Sequence, residues 1–150
     1  MSLWDWTLAA YGRPGTPQAT LTLQDQHGQN TSFLLWAAWA QVDDPALLAK
    51  AADITRRWSD TALVPIRQVR IALKGPVEGV DDGAKNALRE EVKSAELNAE
   101  KLLMESLEAL VGDAKGPASP EAALAAATKA WGAPAPAEAL GVLARALAQG

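Results

Sequence analysis

Residues Phe33 to Ala40 read Phe-Leu-Leu-Trp-Ala-Ala-Trp-Ala, eight apolar residues in a row. Folded as a helix, this segment is apolar on every side, and such a helix sits in the middle of a bundle. It falls far short of the ~20 residues that cross a bilayer, so other parts of the chain have to wrap it. The materials for wrapping are helical. The 150 residues include 32 Ala and 20 Leu, which are strong helix formers, against only 11 Ile plus Val, too few for a sheet-based core. No long apolar segment alternates with period two. The chain is expected to be all-α, a single-domain antiparallel helical bundle with a Trp-rich N-terminal half.

Start and stop signals divide the chain into helices. Ser2 caps a first helix to Tyr11, with Asp5 standing in for the Glu of a capping box and Gly12 stopping it. On that helix Trp4, Leu8 and Tyr11 share one face. Thr16 is read as the cap of a second helix, with Pro17 in its first turn and Gly28 closing it after His27. Asn30 or Thr31 caps the third, which is expected from Ser32 to about Val42. Asp44-Pro45 starts a long helix, about 45–74, with a kink or short break near Pro65, where the ring removes a donor and crowds the preceding turn.

Two stripes run along this fourth helix. One is apolar: Leu48, Ala51, Thr55, Trp58, Ala62, Ile66, Val69 and Leu73. The other is mostly basic: Arg56, Asp60, Leu63, Arg67, Arg70 and Lys74. After a loop at 75–79, Asp81 or Asp82 caps a long charged helix, about 84–111, with an apolar stripe at Leu88, Val92, Ala95, Ala99, Leu102, Ser106 and Ala109. An Ala-rich tail follows. It carries one helix from Ser119-Pro120-Glu121 to near Trp131, a break at Pro134 and Pro136, and a last helix from Ala137 to Gln149. The expected organisation is a bundle over 1–112 and an Ala/Pro-rich helical extension over 113–150 that docks on it.

Composition removes several kinds of chemistry. The absence of cysteine excludes disulfides, thiolate metal sites and thiol catalysis, and a single histidine excludes multi-His metal sites. There is no phosphate-binding glycine loop, no His-Glu-x-x-His and no Gly-x-Ser-x-Gly. No metal and no cofactor is therefore expected. A net charge of −4 argues against nucleic acid. With no leader-like or membrane-spanning segment, the expectation is a cytoplasmic protein without a membrane role. Charge is divided within the chain. Residues 50–74 hold six Lys/Arg and two Asp, whereas 78–113 hold ten Asp/Glu and four Lys/Arg. Opposite signs on successive helices suit an antiparallel hairpin with complementary faces.

Three features are candidate binding sites. His27 is the lone imidazole. It stands near Asn30 at a helix end, where it could act near neutral pH or simply serve the helix terminus. Arg56, Arg67, Arg70 and Lys74 form a stripe suited to a carboxylate or phosphate, which makes an anionic ligand one reading and pairing with the acidic helix the other. Four of the six tryptophans lie within the first 40 residues, and two of them, Trp4 and Trp6, stand two apart on one helix and cannot both point inward. Trp6 is the one expected to face outward, where tryptophan serves in interfaces.

The succession Trp4…Tyr11, Arg13-Pro14-Gly15, Leu23-Gln24-x-x-His27-Gly28, Leu34-Leu35, Trp39, Trp58 and Pro65-x-Arg67-x-x-Arg70 resembles a family of small bacterial proteins found mainly in proteobacteria. That family is classed only as a domain of unknown function. The resemblance spans roughly residues 3–110, departs at Thr31-Ser32-Phe33, and implies an all-helical fold without implying an activity.

The catalytic inventory is poor and the surface inventory rich. The leading expectation is a non-catalytic protein-interaction protein, an adaptor or regulator, with a protein partner or self-association. The alternative is a small-molecule binder or enzyme with a pocket between the first three helices, lined by Trp4, Tyr11, Gln24, His27, Asn30 and Trp39.

Overall fold

The structure is a computed structural model and describes residues 1–133 and 135–148. Every regular element among them is helical, as composition implied: α1 Leu3–Tyr11, α2 Thr16–His27, α3 Thr31–Ala40, α4 Pro45–Trp58, a π-turn Ser59–Leu63, α5 Val64–Ala72, α6 Asp82–Glu108, α7 Pro120–Trp131 and α8 Ala137–Leu147. None of these is long and apolar enough to cross a membrane. Two compact units emerge. One combines Met1–Ile54 with the chain from Met104 onward, and the other is Thr55–Leu103.

The first unit is built around α3, whose residues Phe33 to Ala40 are all buried. Helices α1, α2 and α7 pack against it, and α8 packs on α2 and α7. The Phe33 ring lies 6.0 Å from Trp36 and 5.5 Å from Trp131, so indole and phenyl rings fill the centre. The caps hold α3 in place. Asn30 Oδ1 accepts the Phe33 N–H at 3.0 Å. At the other end Gln41 adopts a left-handed conformation, and Gly116 and Ala118 donate their N–H groups to the carbonyls of Ala40 and Gln41 at 2.8 and 3.0 Å. A Cβ on Gly116 would come within 2.4 Å of the Gln41 carbonyl oxygen, so this strap requires glycine.

Two local readings change in this unit. The second helix starts on Gly15, left-handed at φ 90°, rather than on a Thr16 cap, and Thr16 is instead fully buried. On α1 the buried row is Leu3, Thr7 and Ala10, not Trp4, Leu8 and Tyr11, and Leu8 is 54% exposed. Trp4 and Trp6 straddle that row, each half-buried. The expectation that Trp4 faces inward and Trp6 outward is thereby replaced by two flanking indoles. In the tail, Ser119 caps α7 and left-handed Gly132 ends it. The expected break at Pro134 and helix end at Gln149 lie outside the described residues.

The second unit contains a departure from regular α-helical geometry. Pro65 neither breaks nor ends the helix. The chain stays helical through a π-turn in which Val64 N–H bonds to the Ser59 carbonyl, five residues back. Proline has no N–H for the carbonyl four residues earlier and its ring pushes that carbonyl aside, and widening the preceding turn by one residue relieves both problems. The extra residue rotates everything after it. Leu63, placed on the polar stripe by regular spacing, is buried, and Val69, placed on the apolar stripe, is 47% exposed. Asp81 Oδ2 accepts the Ala84 N–H at 2.8 Å and caps α6, which runs 82–108 rather than about 84–111. Its buried positions are Lys85, Glu96, Ala99 and Leu103 within this unit, whereas Leu88 and Leu102 are each 50% exposed.

Candidate functional site

Thr55–Leu103 forms a hairpin whose seam is ionic. Glu96, on α6, is reached by two guanidinium groups from α5: Arg70 Nε donates to Oε1 at 2.5 Å and Arg67 Nε to Oε2 at 3.1 Å, with Arg70 Nη2 at 3.5 Å from Oε2. Arg67 Nη2 also lies 3.9 Å from Glu100 Oε1. The side chain of Glu96 is only 11% exposed. Burial pushes its carboxyl up, but the hydrogen bonds from Arg70 and Arg67, together with their charges, outweigh that, and Glu96 ionises below the usual glutamate range. Glu100 behaves oppositely. Burial and the neighbouring Glu96 charge raise it, and the two arginines only partly offset them.

The two cations of α6 nearest the loop serve backbone. Lys85, buried, donates Nζ to the Gly75 carbonyl at 2.6 Å and pairs with Asp82 at 3.1 Å. Arg89 Nε donates to the Arg70 carbonyl at 3.3 Å. Carbonyls in and beyond the last turn of a helix have no intrahelical partner and sit at the negative end of its dipole. A cation from the opposing helix satisfies both conditions. Trp58 closes the far end of the hairpin, its indole N–H donating to the Ala99 carbonyl at 2.8 Å. The pairs 58–99, 70–89 and 75–85 define an antiparallel register.

The seam has two unlike flanks. Arg67 and Glu100 meet on one of them. On the other, by helical rotation, run Ile66, Val69 and Leu73 of α5 and Leu88, Val92, Ala95 and Leu102 of α6. These are the positions whose spacing suggested a core, yet Val69, Leu88 and Leu102 stand about half-exposed and Ala95 is exposed. The hairpin thus presents an apolar stripe beside a charged clamp.

The expected site residues are spread over both units. Arg67 and Arg70 come together on Glu96. Arg56 precedes the π-turn, is exposed, and loses the simple 3/4 phase with them; Lys74 is exposed beyond α5. Trp6 carries the Arg13 guanidinium 5.9 Å above its ring, and Arg13 in turn donates to the Leu147 carbonyl. Asn30 is occupied as the α3 cap. His27 is half-buried at the end of α2, where its carbonyl accepts from Gln29 Nε2 at 3.1 Å. Of the residues expected to share a pocket, Asn30 and Trp39 stand at opposite ends of α3, about 13 Å apart along its axis. Trp39 instead floors a recess of about 550 Å³ with Ser2, Glu105, Glu108 and Lys115, whose ammonium lies 4.3 Å from the indole centroid. Among the described residues no group of three or more His, Asp or Glu is placed to hold a metal ion.

Sequence reasoning missed Glu96, Lys85 and Arg89. The signal for the first was present: Glu96 and Glu100, four apart, face Arg67 and Arg70, three apart, on helices of opposite net charge.

No curated protein and no solved structure matches the chain. A family model matches residues 2–107, which include the whole hairpin, the π-turn and the first three helices. The chain belongs to the family described as protein of unknown function DUF2390.

Proposed function

We propose that this is a cytoplasmic, non-catalytic protein-interaction protein that docks a helical partner on the apolar flank of the α5/α6 hairpin. The observation that carries this reading is the pair Leu88 and Leu102, each 50% exposed on a long helix and in line with Val69. Contiguous apolar surface of this kind, rimmed by charge, marks interaction sites. The ionic seam supports the same reading. It holds α5 against α6 without consuming the stripe, so the stripe is displayed on a braced pair of helices, and little order has to be gained on docking. The clamp also bears on an anionic ligand as partner: Arg67 and Arg70 already share Glu96, and an added carboxylate or phosphate would have to displace it.

The test is affinity capture from a native lysate with the wild type, with Leu88→Glu/Leu102→Glu and with Arg67→Glu/Arg70→Glu. Stoichiometric partners lost specifically with the leucine pair support docking on the stripe. Identical recovery by wild type and the leucine variant overturns it. Loss with the arginine pair alone would move the site to the charged seam.

A further inference from the structure

The docking reading leaves the occupant open, and α6 itself suggests one. Leu88 and Leu102 lie seven residues either side of Ala95, close to one angular position on the helix, since seven residues are nearly two turns. They are equally exposed, at 50% each, and Ala95 between them is exposed as well. An isologous interface requires a surface complementary to itself under a two-fold rotation. A two-fold axis through Ala95, perpendicular to α6, exchanges Leu88 with Leu102 of a second copy and places the smallest side chain of the stripe at the crossing. There the two helix axes can come as close as packed helices do, about 8–10 Å.

The polar edge of the stripe obeys the same operator. Glu91 and Asn98 follow the stripe along α6, and the rotation sets Glu91 of one copy beside Asn98 of the other, twice. A carboxylate then faces an amide donor, while the two Glu91 carboxylates stay about 12 Å apart along the axis. No like charges meet at the crossing. The α5 residues Val69 and Leu73 of each copy extend the apolar surface along the edge opposite Glu91 and Asn98, so two hairpins laid together make a four-helix arrangement with the ionic seams outside its new core.

We infer that the occupant of the apolar flank is a second copy of this chain, with α6 crossing α6 antiparallel at Ala95. This inference rests on the docking reading above and names its partner.

The absence of cysteine makes the test direct. Ala95→Cys places one thiol per chain on the proposed axis, and Lys93→Cys places one on the opposite side of α6. Under mild oxidation at micromolar concentration, Ala95→Cys is expected to form a disulfide-linked dimer about tenfold or more faster than Lys93→Cys, because symmetric thiols on an axis meet at raised effective concentration. Sedimentation of the wild type should give a dimer, and Leu88→Glu/Leu102→Glu should give a monomer of unchanged helix content. If the double glutamate variant fails to fold, Leu88→Ser/Leu102→Ser gives the same readout without adding charge. A monomeric wild type at high micromolar concentration, equal crosslinking of the two cysteine variants, or a dimer that survives loss of both leucines overturns the inference. A monomeric wild type whose captured partners still depend on Leu88 and Leu102 overturns self-association alone and leaves docking intact. Captured partners indifferent to both leucines overturn docking itself.

Discussion

The α1–α3 core and the α5/α6 hairpin solve the same problem with opposite chemistry. In the first unit, helices gather around the buried apolar run of α3, with Phe33 packed against Trp36 and Trp131. In the second, Arg67, Arg70, Glu96, Arg89 and Lys85 line the seam beside the buried Leu63, Ala99 and Leu103, while Val69, Leu88 and Leu102 stay about half-exposed on the flank. Burial of apolar area is non-directional and tolerates small errors of angle, whereas charge-assisted hydrogen bonds require a particular register. The contrast teaches that ions can align a hairpin while part of its apolar surface stays exposed. An apolar seam would have used it up.

This difference can be attacked from both sides. The largest effect should come from emptying the centre of the first unit. Trp36→Ala is expected to cost about 3–5 kcal/mol, as emptying a large aromatic core site does. Chemical denaturation measures it, and a loss well below that would show that the surrounding helices collapse onto the space. Next, Glu96→Gln should cost about 1–3 kcal/mol, because it leaves two guanidinium groups facing a neutral amide in a partly exposed seam. This cost should shrink in concentrated salt, and the Trp36→Ala cost should not. If both respond to salt alike, the proposed division of chemistry fails.

Gly116→Ala, which drives a methyl into the Gln41 carbonyl, is expected to cost about 1–3 kcal/mol, as overpacking does. Its effect on melting should be insensitive to pH and salt. The smallest effect belongs to Glu100→Gln, expected to stabilise by under about 1 kcal/mol at neutral pH, since the group is surface-accessible.

The pH dependence separates the two glutamates. Glu96 is depressed in the folded state, so its contribution is complete above its ordinary value of 4.5 and is lost as pH falls through the lower folded value. Glu100 is raised, so stability declines as pH climbs from 4.5 through its higher folded value. Glu96→Gln should therefore flatten the acid side of the stability profile. Glu100→Gln should remove the decline just above 4.5. A profile unchanged by either substitution would mean that the seam does not hold these charges as described.

Much of this was legible in the chain. Ser119 was identifiable as a cap, and Asn30 and Asp81 each as one of two adjacent candidates, because a side-chain acceptor followed by a helical pattern is a local arrangement, decided within four residues. The burial of Phe33 to Ala40 followed from an eight-residue run with no polar side to turn outward. The charge division between 50–74 and 78–113 anticipated the hairpin. Regular spacing failed where the backbone left its regular period. It placed Val69 inward and Leu63 outward, and the π-turn ahead of Pro65 exchanged them by adding one residue to a turn. On α1 it followed Trp4, Leu8 and Tyr11, whereas the packing buried Leu3, Thr7 and Ala10, each one position earlier.

By itself, then, the sequence determined the helical class, several helix caps and the central position of α3, because propensity, capping and an unbroken apolar run act over a few neighbouring residues. Only the tertiary structure decided which stripe of α5 and α6 faces inward. That choice depends on two arginines finding one glutamate across 26 and 29 residues of chain, and on a proline whose missing donor rotates the helix that carries them.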